Sequence, residues 1–225
     1  MRLALHYTLL LSCFFLCCCS GHKKVRVLPF IGNFDIEYKL IDGGEIADTV
    51  YPKIPFFHFT NELGEEITSA QMKGKVWIVD FFFTSCQTIC PLMTTNMKKL
   101  NQSTRDLNEH IQFISFTIDP ERDTPSTLLR YKSHHGIATN NWTFLSGDEE
   151  RTHLLGIENF QIFAGRDNEA QGGFAHSGAF TLVDKEGFVR GVYLGTDSKQ
   201  VEQLEKDIRL LLKEEYGVTG SSKSS

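Results

Sequence analysis

The chain has 225 residues, 41% of them hydrophobic and 23% charged, the balance of a globular protein with one domain of moderate size. That length is enough to bury a sizeable core. A formal charge of −5 argues against a nucleic-acid partner, which wants a basic surface.

Taken in order, Arg2 and the mostly apolar run Leu3 to Cys18 have the form of a signal peptide, residues 1–18. His6, Tyr7, Thr8 and Ser12 interrupt the run, which falls short of the ~20 apolar residues that a spanning helix needs. Its end, Leu16-Cys17-Cys18-Cys19-Ser20, resembles the lipobox of bacterial lipoproteins, with Cys19 as the attachment residue; Cys17 and Cys18 fill places where that motif has small residues. The basic cluster His22-Lys23-Lys24-Val25-Arg26 reads as a solvated tether beside the lipid. Only Cys86 and Cys90 then remain in the folded body. A bridge between them closes a loop of a few residues, so it removes little chain entropy, and stability is a poor reason for the pair.

Residues 19–50 are expected to form a lipid-anchored linker and approach segment with short strands, punctuated by Pro29, Gly32-Asn33 and Gly43-Gly44. The folded domain is expected over 51–216. Ile54 to Thr60 and the turn Asn61-Glu62-Leu63-Gly64 predict an N-terminal β-hairpin on the main sheet, with His58 a structural histidine. Val76-Trp77-Ile78-Val79-Asp80-Phe81-Phe82-Phe83 reads as a buried central strand. It runs directly into Cys86 and Cys90. Pro91 suits the first turn of a helix carrying Met93, Met97, Leu100 and Leu107, so both thiols are expected to feel its positive end.

Ile111 to Ile118 predicts a second strand, Asp119 to Asp123 a turn, and Thr124-Pro125 the start of a helix that Gly136 stops. Adjacent His134 and His135 point in different directions on a helix and make a poor bidentate site. Trp142 to Leu145 predicts a third strand, and Ser146-Gly147-Asp148 a cap for a helix on which His153 is exposed. The loop Phe163 to Ser177 delivers His176 to a strand, Ala179 to Val183, which turns through Asp184 to Gly187 into Phe188 to Leu194. A helix from Asp197 or Ser198 buries Val201, Leu204, Ile208, Leu211 and Leu212 and ends at Gly217. Residues 217–225 are expected to be a disordered tail. This order of elements suits an α/β thioredoxin-like sheet flanked by helices, with an N-terminal β-hairpin extension.

Three segments stand out together: Thr84-Ser85-Cys86-Gln87-Thr88-Ile89-Cys90-Pro91, then Thr117-Ile118-Asp119-Pro120-Glu121-Arg122-Asp123-Thr124, then His176-Ser177. In order and content they resemble the Sco/SenC family of copper chaperones, and the resemblance spans roughly Pro55 to Leu212. It implies Cys86, Cys90 and His176 as copper ligands, and a role in assembling the copper centre of a respiratory oxidase. Its implied partners are the oxidase copper subunit or another copper chaperone, and its implied place is the membrane of the cell envelope, facing a periplasm-like compartment. Two thiolates suit Cu(I), and an added imidazole admits Cu(II); zinc also fits these donors, although a structural zinc would want a fourth ligand. Asp119 and Asp123 are candidates for supporting the ligands or docking a partner, against turn formation and helix capping as the simpler role. Ala175 stands where many relatives have an acidic residue.

Two other readings use the same cysteines. One is a thiol-disulfide oxidoreductase; typical members have a two-residue spacer and a cis-proline facing the thiols, and His176-Ser177-Gly178 occupy that approach here. The other is a redox or copper sensor whose disulfide state controls a partner.

Overall fold

The computed structural model describes residues 27–41, 44–167, 169 and 173–220. The expected signal peptide, the Cys19 attachment site, the basic cluster and the end of the C-terminal tail lie outside them. No helix among the described residues is long and apolar enough to cross a membrane.

The strands are β1 (Asp35–Ile41), β2 (Gly44–Val50), β3 (His58–Asn61), β4 (Glu66–Thr68), β5 (Val76–Phe82), β6 (Ile111–Thr117), β7 (Trp142–Ser146), β8 (Ala164–Arg166), β9 (Phe174–His176), β10 (Ala179–Val183) and β11 (Val189–Leu194). The helices are α1 (Cys90–Ser103), α2 (Pro125–His134), α3 (Glu149–Leu154), which continues as a π turn over Leu155–Asn159, and α4 (Ser198–Tyr216). Seven strands form one mixed sheet in the order β11-β10-β5-β6-β7-β3-β4, in which β5, β6 and β7 are parallel and the others antiparallel. Every residue of β5 and β6 is buried, which is why β5 reads as an apolar run interrupted only by Asp80: parallel strands covered on both faces have no solvent side to alternate with.

Successive β5 residues point to opposite faces. Phe82 meets Tyr131 of α2 on one face, and Tyr131 in turn hydrogen-bonds Thr94 of α1. On the other face Phe81 stacks on Phe116, which also contacts Phe57, Phe59 and Phe160. The expected hairpin is present as β3 and β4, joined to the sheet through β7. Upstream, β1 and β2 form a second, separate hairpin with Ile36, Tyr38, Leu40 and Ile46 exposed, so the approach segment is more regular than its sequence implied.

Two arrangements lock the ends of the domain together. Gly217, at φ +66, closes α4 in the left-handed region open to glycine, and Val218 donates to the Leu212 carbonyl and packs on the core. The first residues of the expected tail are therefore part of the fold. Beneath them, the fully buried Arg190 side chain bonds Asp184 and Glu215, donates to the carbonyls of Leu28 and Pro29, and lies over the Phe30 ring. The Val27 amide donates a hydrogen bond to Glu215 Oε1 at 2.9 Å.

Gly195 ties β11 to the approach to β10, its amide donating to the Gly178 carbonyl at 2.8 Å. A Cβ at 195 would lie 2.7 Å from the Phe180 ring and 3.0 Å from that same carbonyl. Gly195→Ala is expected to destabilise the domain by about 1–3 kcal/mol, the usual cost of overpacking, read as a lowered urea midpoint.

Candidate metal centre

β5 ends at Phe82, and Phe83 and Thr84 carry the chain out of the sheet into the cysteine loop. A turn bond from the Cys86 amide to the Phe83 carbonyl at 3.2 Å folds that loop back over the strand end. Cys90 is the first residue of α1 and Pro91 follows it, as the sequence predicts. Cys86 is 7% exposed and Cys90 1% exposed; both are free thiols.

His176 arrives from the far end of the chain on β9, whose pairing with β8 sets Ala164 opposite His176. Its ring stands edge-on to Phe83 and places Nε2 3.1 Å from Cys90 Sγ. Cys86 Sγ, Cys90 Sγ and a His176 ring nitrogen all lie within 4.8 Å of one another, and among the described residues no other His, Cys, Asp or Glu cluster converges in this way. The span suits donors gathered around one ion. A cavity of about 620 Å³ between β3 and α3 is lined by neither cysteine nor His176.

The two thiols differ in acidity. Hydrogen bonds from Cys90, His176 and Thr88 hold Cys86 well below the usual thiol range. The thiolate at Cys86 favours a proton on its neighbour, and burial adds to that, so Cys90 is pushed up. The sequence expectation was that the helix end would lower both; only Cys86 is lowered, chiefly by side-chain hydrogen bonds, and one thiolate shared between two sulfurs outweighs a helix terminus. A lowered pKa keeps Cys86 ionised as the pH falls. Its alkylation rate by iodoacetamide, followed by mass spectrometry, is expected to stay flat from about pH 8 to pH 5, where an ordinary thiol with a pKa near 8.5 slows about tenfold per pH unit; Cys90 is expected to stay unmodified.

Asp123 braces the cysteine loop. Its carboxylate accepts from the Thr84 amide at 2.9 Å, from the Thr84 hydroxyl, and from Thr117 Oγ1 at 2.5 Å, so one buried acid ties the start of the loop to the end of β6. Burial pushes its pKa up. Asp119 is also buried and pairs with Arg122 at 2.8 Å, while its amide donates to Thr117 Oγ1. Neither acid belongs to the converging donor cluster.

The remaining histidines divide. His58 is exposed and pairs with Glu66. His134 is exposed, whereas the His135 ring packs at a tilt against Tyr131, centroids 4.3 Å apart. His153 is half-buried rather than exposed: its Nε2 lies 3.0 Å from the Ile118 carbonyl and its ring meets Phe174, bracing the end of β6 against β9. Helix periodicity cannot foresee this, because a loop from elsewhere covers that face.

Sequence reasoning passed over Asp80. It lies in the middle of β5, 3% exposed, beside Ser115 in the parallel register, and burial pushes its pKa up to about 7. A carboxylate inside an otherwise apolar run was the available signal.

A family model for SCO1/SenC matches residues 49–213. The chain belongs to the SCO1/SenC family. Among solved structures, this Sco-family chain is similar to a SCO1/SenC family lipoprotein from Bacillus anthracis, at 34% identity and a TM-score of 0.65 over 71% of this chain and 94% of that one. It is similar to BsSco, described as a member of the Sco family of cytochrome c oxidase assembly proteins with a disulfide switch, at 29% identity and a TM-score of 0.62 over 69% and 91% of the two chains. Copper-bound yeast Sco1 matches at 27% identity and a TM-score of 0.54 over 70% and 89%. These neighbours and the sheet order agree on a thioredoxin-like α/β fold. The hairpin β1–β2 lies almost wholly ahead of the family match.

Proposed function

We propose that this Sco-family protein is exported and tethered to a membrane of the cell envelope by a lipid on Cys19, and that it binds copper through Cys86, Cys90 and His176 to support assembly of a respiratory oxidase copper centre. The observation that carries the reading is the convergence of two sulfurs and one imidazole within 4.8 Å at the end of β5. Soft thiolates retain Cu(I), and the imidazole extends the set to Cu(II). With three protein donors a coordination position stays open, through which a partner's ligand can enter and take the ion. The oxidase copper subunit or a second copper chaperone is the partner this implies. The names of the relatives support the same direction: one was solved with copper, one is described as an oxidase assembly protein and one as a lipoprotein. Asp123 serves this function by holding the cysteine loop, and Asp119 by fixing the adjoining turn beside Arg122.

The test is X-ray absorption spectroscopy on the reduced, copper-loaded protein beside its His176→Ala variant. Two sulfurs and one imidazole are expected in the first and no imidazole in the second. An identical spectrum from both would overturn the ligand set.

One observation favours a second reading, a thiol-disulfide oxidoreductase: the acidic Cys86 beside the protonated Cys90 is the asymmetry in which one sulfur attacks and the other later resolves. Disulfide reductase turnover with copper excluded distinguishes the two, since a metallochaperone alone gives a negligible rate.

A further inference from the structure

The hairpin β1–β2 pairs with no other strand among the described residues, and all its described residues are exposed except the half-buried Val50. A two-stranded hairpin alone is at best marginally stable in water, and its outer edges carry unpaired amides and carbonyls. Both of its legs are nevertheless fixed to the domain. Ahead of it the Ile31 amide donates to the Val189 carbonyl at 2.9 Å, and beyond it the Ile54 amide donates to the Gly187 carbonyl at 2.8 Å. At its base the Phe30 and Phe34 rings both pack on Tyr51. The domain therefore holds out an arm with an open strand edge.

Side chains alternate between the two faces of the arm. Ile36, Tyr38 and Leu40, at 55%, 68% and 78% exposure, share one face, and Glu37 and Lys39 share the other. There Glu37 lies directly opposite Asp48, a like-charged cross-strand pair, and Lys39 closes on Asp48. Glu37 is left without an ion pair among the described residues.

The order of residues in β1 is self-complementary. When a second β1 lies antiparallel beside it, with a two-fold axis between the two Tyr38 residues, Glu37 of each copy faces Lys39 of the other and Ile36 faces Leu40. An axis at Glu37 would set two glutamates face to face, as would a parallel alignment in register. The other open edge, β2, has no cation and gains no such pair. We infer that the β1 edge is a self-association surface whose partner is a second copy of this chain, the two β1 strands pairing about Tyr38 into one sheet of order β2-β1-β1-β2. One face of that sheet gathers Ile36, Tyr38 and Leu40 of both copies, and the other gives each Glu37 the cation it lacks. None of these residues belongs to the cysteine–histidine cluster, so the inference stands independently of the copper reading.

The test is sedimentation equilibrium of the reduced full chain in density-matched detergent. Strand addition by a hairpin alone is a small interface, so a dissociation constant on the order of 100 µM is expected. The mean mass then rises from about 1.2 to about 1.8 times that of the monomer between about 10 µM and about 1 mM protein. Glu37→Lys sets a cation opposite Asp48 within its own hairpin, which favours the arm, yet turns that cation toward Lys39 of the second copy. This variant is expected to stay monomeric, and adding Lys39→Glu to it, which restores opposite charges across the axis, is expected to bring back association. With Tyr38 replaced by a photoreactive benzoylphenylalanine, crosslinks are expected to residues 36–40 of the other copy. A wild-type mass that does not change with concentration overturns the inference, as does a Glu37→Lys protein that associates like wild type. A double variant that stays monomeric, or crosslinks that land on detergent or outside β1, also overturns it.

Discussion

The Cys86→Ala protein, fully reduced and titrated with Cu(I) against a competing chelator, is expected to lose more than about 100-fold in affinity, beyond the upper end of what losing a supporting partner of a ligand costs. Cys86 is the sulfur already ionised in the folded protein, so it offers the metal a thiolate without first giving up a proton. Cys90 and His176 alone leave two donors, too few to hold the ion against the chelator. Cys90→Ala is expected to fall by a similar factor, and it also leaves Nε2 of His176 without its sulfur neighbour. His58→Ala is the control, since His58 pairs with Glu66 on β4, outside the converging donor cluster, and its loss should leave affinity unchanged. If the Cys86 variant keeps wild-type affinity, the proposed centre is wrong.

Arg190→Met is expected to cost about 3–5 kcal/mol of folding stability, because removing one partner of a buried ion pair leaves the other uncompensated. Here two carboxylates, Asp184 and Glu215, lose their shared cation. In the wild type, burial works against the guanidinium charge, yet its bonds to those acids outweigh burial and raise its pKa. Without the cation both acids would sit above their unfolded pKa values, so the folded variant would bind more protons than the unfolded chain as the pH falls. The deficit against wild type is therefore expected to shrink between about pH 7 and pH 4. Urea unfolding at several pH values measures both the size and the slope. Replacing all three residues with apolar side chains of similar volume is expected to recover much of the loss.

The central strand was legible because β5 is apolar on both faces, and the start of α1 because proline tolerates a first turn. The ligand set was harder. Cys86 and Cys90 are neighbours in sequence, but His176 is 86 positions beyond Cys90, and residue types alone do not separate it from His153. The family resemblance supplied that link, and the converging atoms agree with it. The brace from Asp123 to Thr84 was not legible, since it depends on which buried acceptor the packing leaves beside which donor. The separation of the two thiol pKa values was hidden for the same reason: it arises between two sulfurs only when the loop folds them together.

The Arg190 cluster also has a consequence for how the chain becomes a protein. Glu215 bonds the amide of Val27, 188 positions earlier, and Arg190 reaches Leu28 across 162. Closing such wide loops is entropically costly and slow, and it cannot begin until the last helix is available. The first described residues must wait, unpaired, for nearly the whole chain. The N-terminal segment is thus the last to join the fold, and the finished domain depends on both ends of the chain at once.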